Sequence, residues 1–193
     1  AGDVDAAIRA GAMQPMIVVG IENTERRRDM TGPTMVASDR EIAPRVGGSA
    51  AFRAFVAQEL IPEVQHRYRT NGHRAIVGES LAGLFVVETL FAQPKLFDTY
   101  IALSPSLWWN DMALTRAASA RLQALPALHA TLYVASAGDD GLDESGGGLL
   151  QEALRRHAPR GLRWFYQPWP DLKHATIYRG ASPAVFRRLF APK

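Results

Sequence analysis

An α/β domain built on a mainly parallel sheet is the fold class this 193-residue chain predicts. Short apolar runs alternate along it with stretches of helical period, the signature of strand–helix units. One run, Ala75-Ile76-Val77, leads directly into Gly78-Glu79-Ser80-Leu81-Ala82-Gly83 and then into a helical pattern. Polar segments holding Ser, Asp and His follow three of these runs in that order.

The elements follow from the amino end. A short helical pattern over 6–12 breaks near Pro15, and Met16-Ile17-Val18-Val19-Gly20-Ile21 reads as a first, buried strand. Residues 22–50, rich in charge, Gly and Pro, form a long irregular segment; loops of that length in compact domains usually carry a function. Ser49 is placed to cap a helix over 51–68. Phe52, Phe55, Val56, Leu60 and Val64 give that helix its buried stripe, and Pro62 bends or divides it. Asn71-Gly72 is a turn before the second strand, 73–77. A largely apolar helix over 81–91 follows, and 97–103 is the third strand, ended by Ser104-Pro105-Ser106. A helix over 111–124 precedes the fourth strand, 131–136, which runs into the polar turn Gly138-Asp139-Asp140-Gly141. A helix over 148–157 leads to the fifth strand, 162–166. A Pro-containing loop to His174 follows, and then a last helix over 182–190 with Pro183 in its first turn. All of this fits one domain, 1–193.

Composition removes several function classes. Hydrophobic residues make up 47% and charged ones 21%, the balance of a water-facing globule, and no apolar run reaches spanning length. The formal charge of +3 comes from scattered Arg, and its nearest cluster, Arg26-Arg27-Arg28, is flanked by Glu25 and Asp29. Nucleic-acid binding needs a dense basic stripe interleaved with aromatics, which is absent. Zero Cys excludes thiolate chemistry and cysteine-held metals, and the His and acidic residues lack metal-ligand spacing. Neither a metal nor a cofactor is expected. The first residues have neither the basic start nor the apolar segment of a signal peptide; a processed exported protein would look the same, so the compartment stays open.

The chemistry lies in the order of residues. A serine between strand and helix, with small residues two before and two after, is the setting of a nucleophile elbow; here these are Gly78 and Ala82, where the strict pattern has a second glycine. Hydrolases of this kind present nucleophile, acid and histidine in that order, each after a strand. The chain offers Ser80, then Asp140 or Asp139 (with Glu144 as a further candidate), then His174. A serine hydroxyl attacks only when an imidazole can take its proton, and the acid supports the imidazolium. The Leu81 amide can donate to a tetrahedral oxyanion. Trp108 and Trp109 are either core residues or an aromatic wall for an acyl or aryl group. Arg28 and its neighbours are either solvated or an attractor for an anionic substrate. The simplest competing reading makes Ser80 a helix cap and His174 an ordinary loop residue.

Several segments together resemble serine esterases of the ferric-enterobactin esterase type, in the α/β-hydrolase superfamily. They are Pro15 to Ile21 with Asn23-Thr24 and Arg28-Asp29, Val77 to Gly83, Leu96-Phe97-Asp98, Ser104-Pro105-Ser106-Leu107-Trp108-Trp109, and the His174 region. The resemblance implies hydrolysis of a small-molecule ester or lactone, with Ser80 as nucleophile and His174 as base; the acid varies in that group. It also implies strands before the point where this chain begins, and a second oxyanion amide on a loop after one of them. A missing N-terminal region or a partner chain is therefore expected to complete the sheet. An acyltransferase of the mycolyltransferase type and an inactive hydrolase fold used for binding are the alternatives.

Overall fold

A computed structural model of the chain describes residues 2–143 and 145–192. In chain order the elements are α1 (Gly2–Arg9), α2 (Arg26–Asp29), α3 (Ala37–Ile42), α4 (Ser49–Phe55), a π-helical segment (Val56–Leu60) and α5 (Ile61–Arg67). Next come β1 (Ala75–Glu79), α6 (Leu81–Ala92), β2 (Thr99–Leu103), α7 (Trp109–Arg116) and α8 (Ala118–Ala124). The chain finishes with β3 (Ala130–Ala137), α9 (Gly147–His157), β4 (Leu162–Trp169) and α10 (Ile177–Leu189).

The four strands are all parallel, in the order β1-β2-β3-β4. A sheet that advances one strand at a time through right-handed crossovers puts its connecting helices on one face. The packing agrees: α6, α8 and α9 contribute Leu84, Val87, Leu122, Leu150 and Leu154 to one core, against Tyr100, Ala102, Leu132 and Val134 of the strands. The other face must be covered by the chain ends, because a parallel sheet buries both sides. There, Val4 of α1 and Ile177, Ala181, Val185 and Phe186 of α10 pack on Ile101, Leu103, Tyr133 and Ala135. The period-2 alternation of β2 and β3 assigns each residue to its core.

Three expectations are corrected. The run 16–21 is not a strand among the described residues: it pairs with no neighbour, and Ile17, Val18 and Val19 are 46%, 51% and 46% exposed. A strand exists only through a ladder, and the sheet ends at β1 without reaching this segment. Ile17 to Gly20 instead line a groove with Glu63, Val64, Arg67 and Tyr68. The last helix begins at Ile177, so Pro183 lies inside it; buried Ile177, Ala181 and Val185 at four-residue spacing hold it on the sheet despite the lost hydrogen bond. Ser49 caps nothing, since its hydroxyl donates to Glu88 Oε1 at 2.7 Å instead.

The long segment 22–50 is packed, not loose. Buried Asp39 accepts from the Thr34 hydroxyl (2.6 Å) and from the Asn110 amide (2.8 Å), while Asn110 Oδ1 accepts from the Met35 amide (3.0 Å). The first turn of α7 is left-handed at Asn110, Asp111 and Met112, with φ of 51°, 50° and 58°. That backbone is costly for residues with a Cβ, and the hydrogen bonds to Asp39 and from Met35 help hold Asn110 in it.

Candidate active site

The end of β1 bends sharply at Ser80, whose φ of 60° and ψ of −123° lie where side chains are rarely tolerated. Its amide donates to the Leu103 carbonyl (3.0 Å), and its carbonyl accepts from the amides of Leu84 (2.9 Å) and Ser106 (3.0 Å). Small residues make room for the turn. A Cβ on Gly78 would run into the Ala82 carbonyl, and one on Gly83 would sit 2.9 Å from Pro105 Cα. The methyl of Ala82 is accommodated because Gly78 has none.

The Ser80 side chain does not cap α6. The competing reading as a plain helix cap therefore fails on geometry, and the hydroxyl is left for another use. The Leu81 amide opens α6, where the first amides have no partner within the helix and the dipole favours negative charge.

Because the strands are parallel, their carboxyl ends share one rim. Ser80 follows β1, Asp139 and Asp140 follow β3, and His174 follows β4. Asp140 Oδ1 lies 2.9 Å from His174 Nδ1, and its Oδ2 accepts from the Ala137 amide at 2.6 Å. The Asp140 side chain is 11% exposed and that of His174 44%, so the carboxylate is sheltered and the imidazole opens outward. Asp139 has a different position: its Oδ1 accepts from the backbone amide of His174 at 2.7 Å, clamping the loop and leaving the ring free. Glu144 lies outside the described residues. Burial raises the nearby Tyr166 phenol above its ordinary value, a hydrogen bond to Ser136 lowers it, and the Asp140 carboxylate raises it further. Tyr166 thus stays neutral beside Asp140.

The two tryptophans differ. Trp109 is buried and donates its indole N–H to the Gly32 carbonyl (3.2 Å), pinning the long segment; Trp108 is half-buried, its ring centroid 5.9 Å from that of Trp109. Of the pair, only Trp108 is partly exposed. Arg28 is occupied by Glu25 and Asp29, each at 2.7 Å, and the Asp29 hydrogen bond raises its already high pKa. Arg26 instead reaches the Glu79 carbonyl at 3.2 Å, one residue from Ser80. The sequence reading also passed over Ser106, whose hydroxyl is 3.2 Å from that of Ser80. Its sequence signals were a place in the turn that ends the preceding apolar run and in the segment 104–109 that resembles the esterases. Among the described residues no group of His, Asp and Glu could hold a metal ion, and no helix is long and apolar enough to cross a membrane.

Comparison with known proteins adds a second line. The sequence profile of the Esterase family, described as "Putative esterase", matches residues 3–148. The chain is 39% identical over 109 residues to the ferri-bacillibactin esterase BesA of Bacillus subtilis, a match spanning 50% of this chain and 38% of that protein. It is 35% identical over 108 residues to the siderophore triacetylfusarinine C esterase of Aspergillus fumigatus, covering 54% of this chain and 35% of that one. The matches therefore span little more than a third of these relatives. Among solved structures, an IroE-like serine hydrolase from Shewanella oneidensis superposes with a TM-score of 0.83 at 27% identity, covering 93% of this chain and 61% of that one. The BES protein from Bacillus cereus gives 0.78 at 19% identity, over 96% of this chain and 76% of that one, a likeness of fold alone.

Proposed function

The chain belongs to the Esterase family, and from that premise we propose that it hydrolyses carboxylic esters or lactones of siderophore-like small molecules through an acyl-enzyme on Ser80. Its fold is that of an α/β hydrolase with fewer strands than the full form. The observation that carries the reading is the positive φ of Ser80 in a strand–turn–helix elbow whose hydroxyl caps nothing. His174, held by Asp140, takes the Ser80 proton as Oγ attacks the ester carbonyl. The Leu81 amide donates to the oxyanion of the tetrahedral intermediate. His174 returns the proton to the departing alcohol, then draws one from water, whose oxygen attacks the acyl carbon and frees Ser80. The siderophore class comes from the names of the relatives, both esterases of such compounds. Trp108 offers an aromatic wall to an aryl or acyl portion, and Arg26 a positive charge beside the elbow. The decisive experiment is exposure of the intact gene product to a fluorophosphonate, followed by peptide mapping. One adduct on Ser80 is expected, and a folded protein that takes up none ends this reading.

The second oxyanion donor is proposed to arrive with a further strand. The outer edge of β1 has no partner among the described residues, Val77 is 37% exposed there, and the apolar run 17–21 is exposed as well. An unpaired apolar edge is an aggregation hazard that working proteins cover. A strand from a preceding region or a partner chain would cover it and bring its own loop to the rim. Amide hydrogen exchange in the intact gene product tests this. Slow exchange at the outward-facing amides of β1 is expected, and exchange as fast as in a free edge rules the strand out.

A further inference from the structure

We propose that Ser106 is a positioning residue for the nucleophile, donating its hydroxyl hydrogen to Ser80 Oγ once Ser80 directs its own proton to His174; this rests on the acyl-enzyme reading above. Ser106 is only 2% exposed, and its hydroxyl has one partner among the described residues, the Ser80 hydroxyl at 3.2 Å. Its backbone is fixed against the same residue, with its amide on the Ser80 carbonyl at 3.0 Å and its own carbonyl accepting from the Trp109 amide at 3.2 Å. Pro105, beside it, presses on Gly83 at the start of α6. Ser104, with φ of 41°, gives its amide to the Ala135 carbonyl at 2.8 Å, so the turn is anchored to β3 from behind. A side chain held this firmly, and aimed at one atom, sets where that atom sits.

The direction of the bond follows from counting protons. Each hydroxyl has one hydrogen to donate and can accept as well, so at rest either serine could be the donor. Once Ser80 directs its proton to His174, only Ser106 can donate along this contact. A buried hydroxyl that kept its hydrogen unused would carry the full desolvation penalty. The bond holds Ser80 in the rotamer that faces the ester carbonyl. It also matters in deacylation. Water loses a proton to His174, its oxygen bonds to the acyl carbon, and the carbon–Oγ bond breaks with its electron pair passing to Oγ. The imidazolium then returns the proton to Oγ and the carboxylic acid leaves. As charge gathers on Oγ, hydrogen bonding from Ser106 strengthens.

The test compares wild type, Ser106→Ala and Ser106→Thr in the intact gene product on a p-nitrophenyl ester. Rates are expressed per phosphonate-titratable Ser80, so that any unfolded fraction drops out. Ser106→Ala is expected to lower kcat about tenfold, the worth of one such hydrogen bond, with KM unchanged. The rate of phosphonate inactivation should fall in parallel, and Ser106→Thr, which keeps the hydroxyl, should recover most of both. A Ser106→Ala enzyme within twofold of wild type per site overturns the proposal while leaving the esterase reading intact. A loss that appears in KM, or that Ser106→Thr shares in full, overturns it too, since packing alone would then explain the effect. A wild-type protein that neither reacts with phosphonate nor turns over ester removes the esterase reading, and this inference with it.

Discussion

Ser80→Ala is expected to lower kcat for ester hydrolysis by about 10⁶-fold, and His174→Ala by a similar factor, because in the proposed mechanism the two act as one unit. Without Oγ there is no acyl-enzyme, and without the imidazole Oγ keeps its proton. Their effects should not add: the double variant is expected to be no slower than either single one. Asp140→Ala should cost less, about 10⁴-fold at most, since a carboxylate 2.9 Å from Nδ1 orients and stabilises the ring without taking the proton. Asp139→Ala should cost less again, because that carboxylate holds the His174 backbone amide and leaves the ring alone. Steady-state kinetics on the intact gene product with a p-nitrophenyl ester checks the whole series. Retention of more than about a hundredth of the turnover in Ser80→Ala would mean that another group does the chemistry. An Asp139→Ala loss larger than that of Asp140→Ala would reassign the acid.

Glu88→Ala should give the largest loss of stability, about 3 kcal/mol, read from the urea midpoint of the folded chain. Glu88 lies on α6, the helix that begins at the elbow, and a single oxygen serves two donors from α4: Ser49 Oγ at 2.7 Å and Arg53 Nη2 at 3.0 Å. Arg53 is 6% exposed, its other nitrogen is 3.4 Å from Thr89 Oγ1, and its guanidinium sits 5.6 Å from the centre of the Phe85 ring. Removing the carboxylate leaves a buried cation with no counter-ion and a serine hydroxyl with no acceptor. Glu88 keeps some contact with water, its side chain being 18% exposed, which places the loss at the lower end of the range for buried pairs. Glu88→Gln retains an acceptor and should lose less. Replacing both partners with apolar residues of similar volume, Arg53→Met with Glu88→Leu, should recover much of the loss. A change below about 1 kcal/mol in Glu88→Ala would show that water reaches the pair and that the contact is an ordinary surface one.

Much of the rim was legible beforehand, since it depends on local rules. The glycine and alanine around Ser80, the apolar helix after it, and the turn Gly138 to Gly141 each state their conformation in a few neighbouring residues. Periodicity placed β1, β2, β3 and β4 to within a few residues, although β4 runs three residues beyond its apolar stretch into Trp169. The failures were of another kind. Pro183 pointed to a helix start, and the stripe Ile177, Ala181, Val185 overrode it by packing on the sheet. The run 16–21 has the composition of a strand and lacks the neighbour that would make it one.

By itself the chain's order of residues settled that strands and helices alternate, that a serine stands at a strand-to-helix turn, and that acid and histidine follow on later strands. Those facts rest on forces acting within a turn or two of backbone: steric limits on φ and ψ, helix and strand period, and the small side chains a sharp bend requires. Only the folded molecule decided that Asp140 and not Asp139 meets the imidazole, that Trp109 is interior while Trp108 is partly open, and that Ser106 faces Ser80. Each of those depends on which groups, tens of residues apart, are brought within a hydrogen bond of one another, and side-chain spacing at 3 Å is set by packing across the sheet and not along the chain.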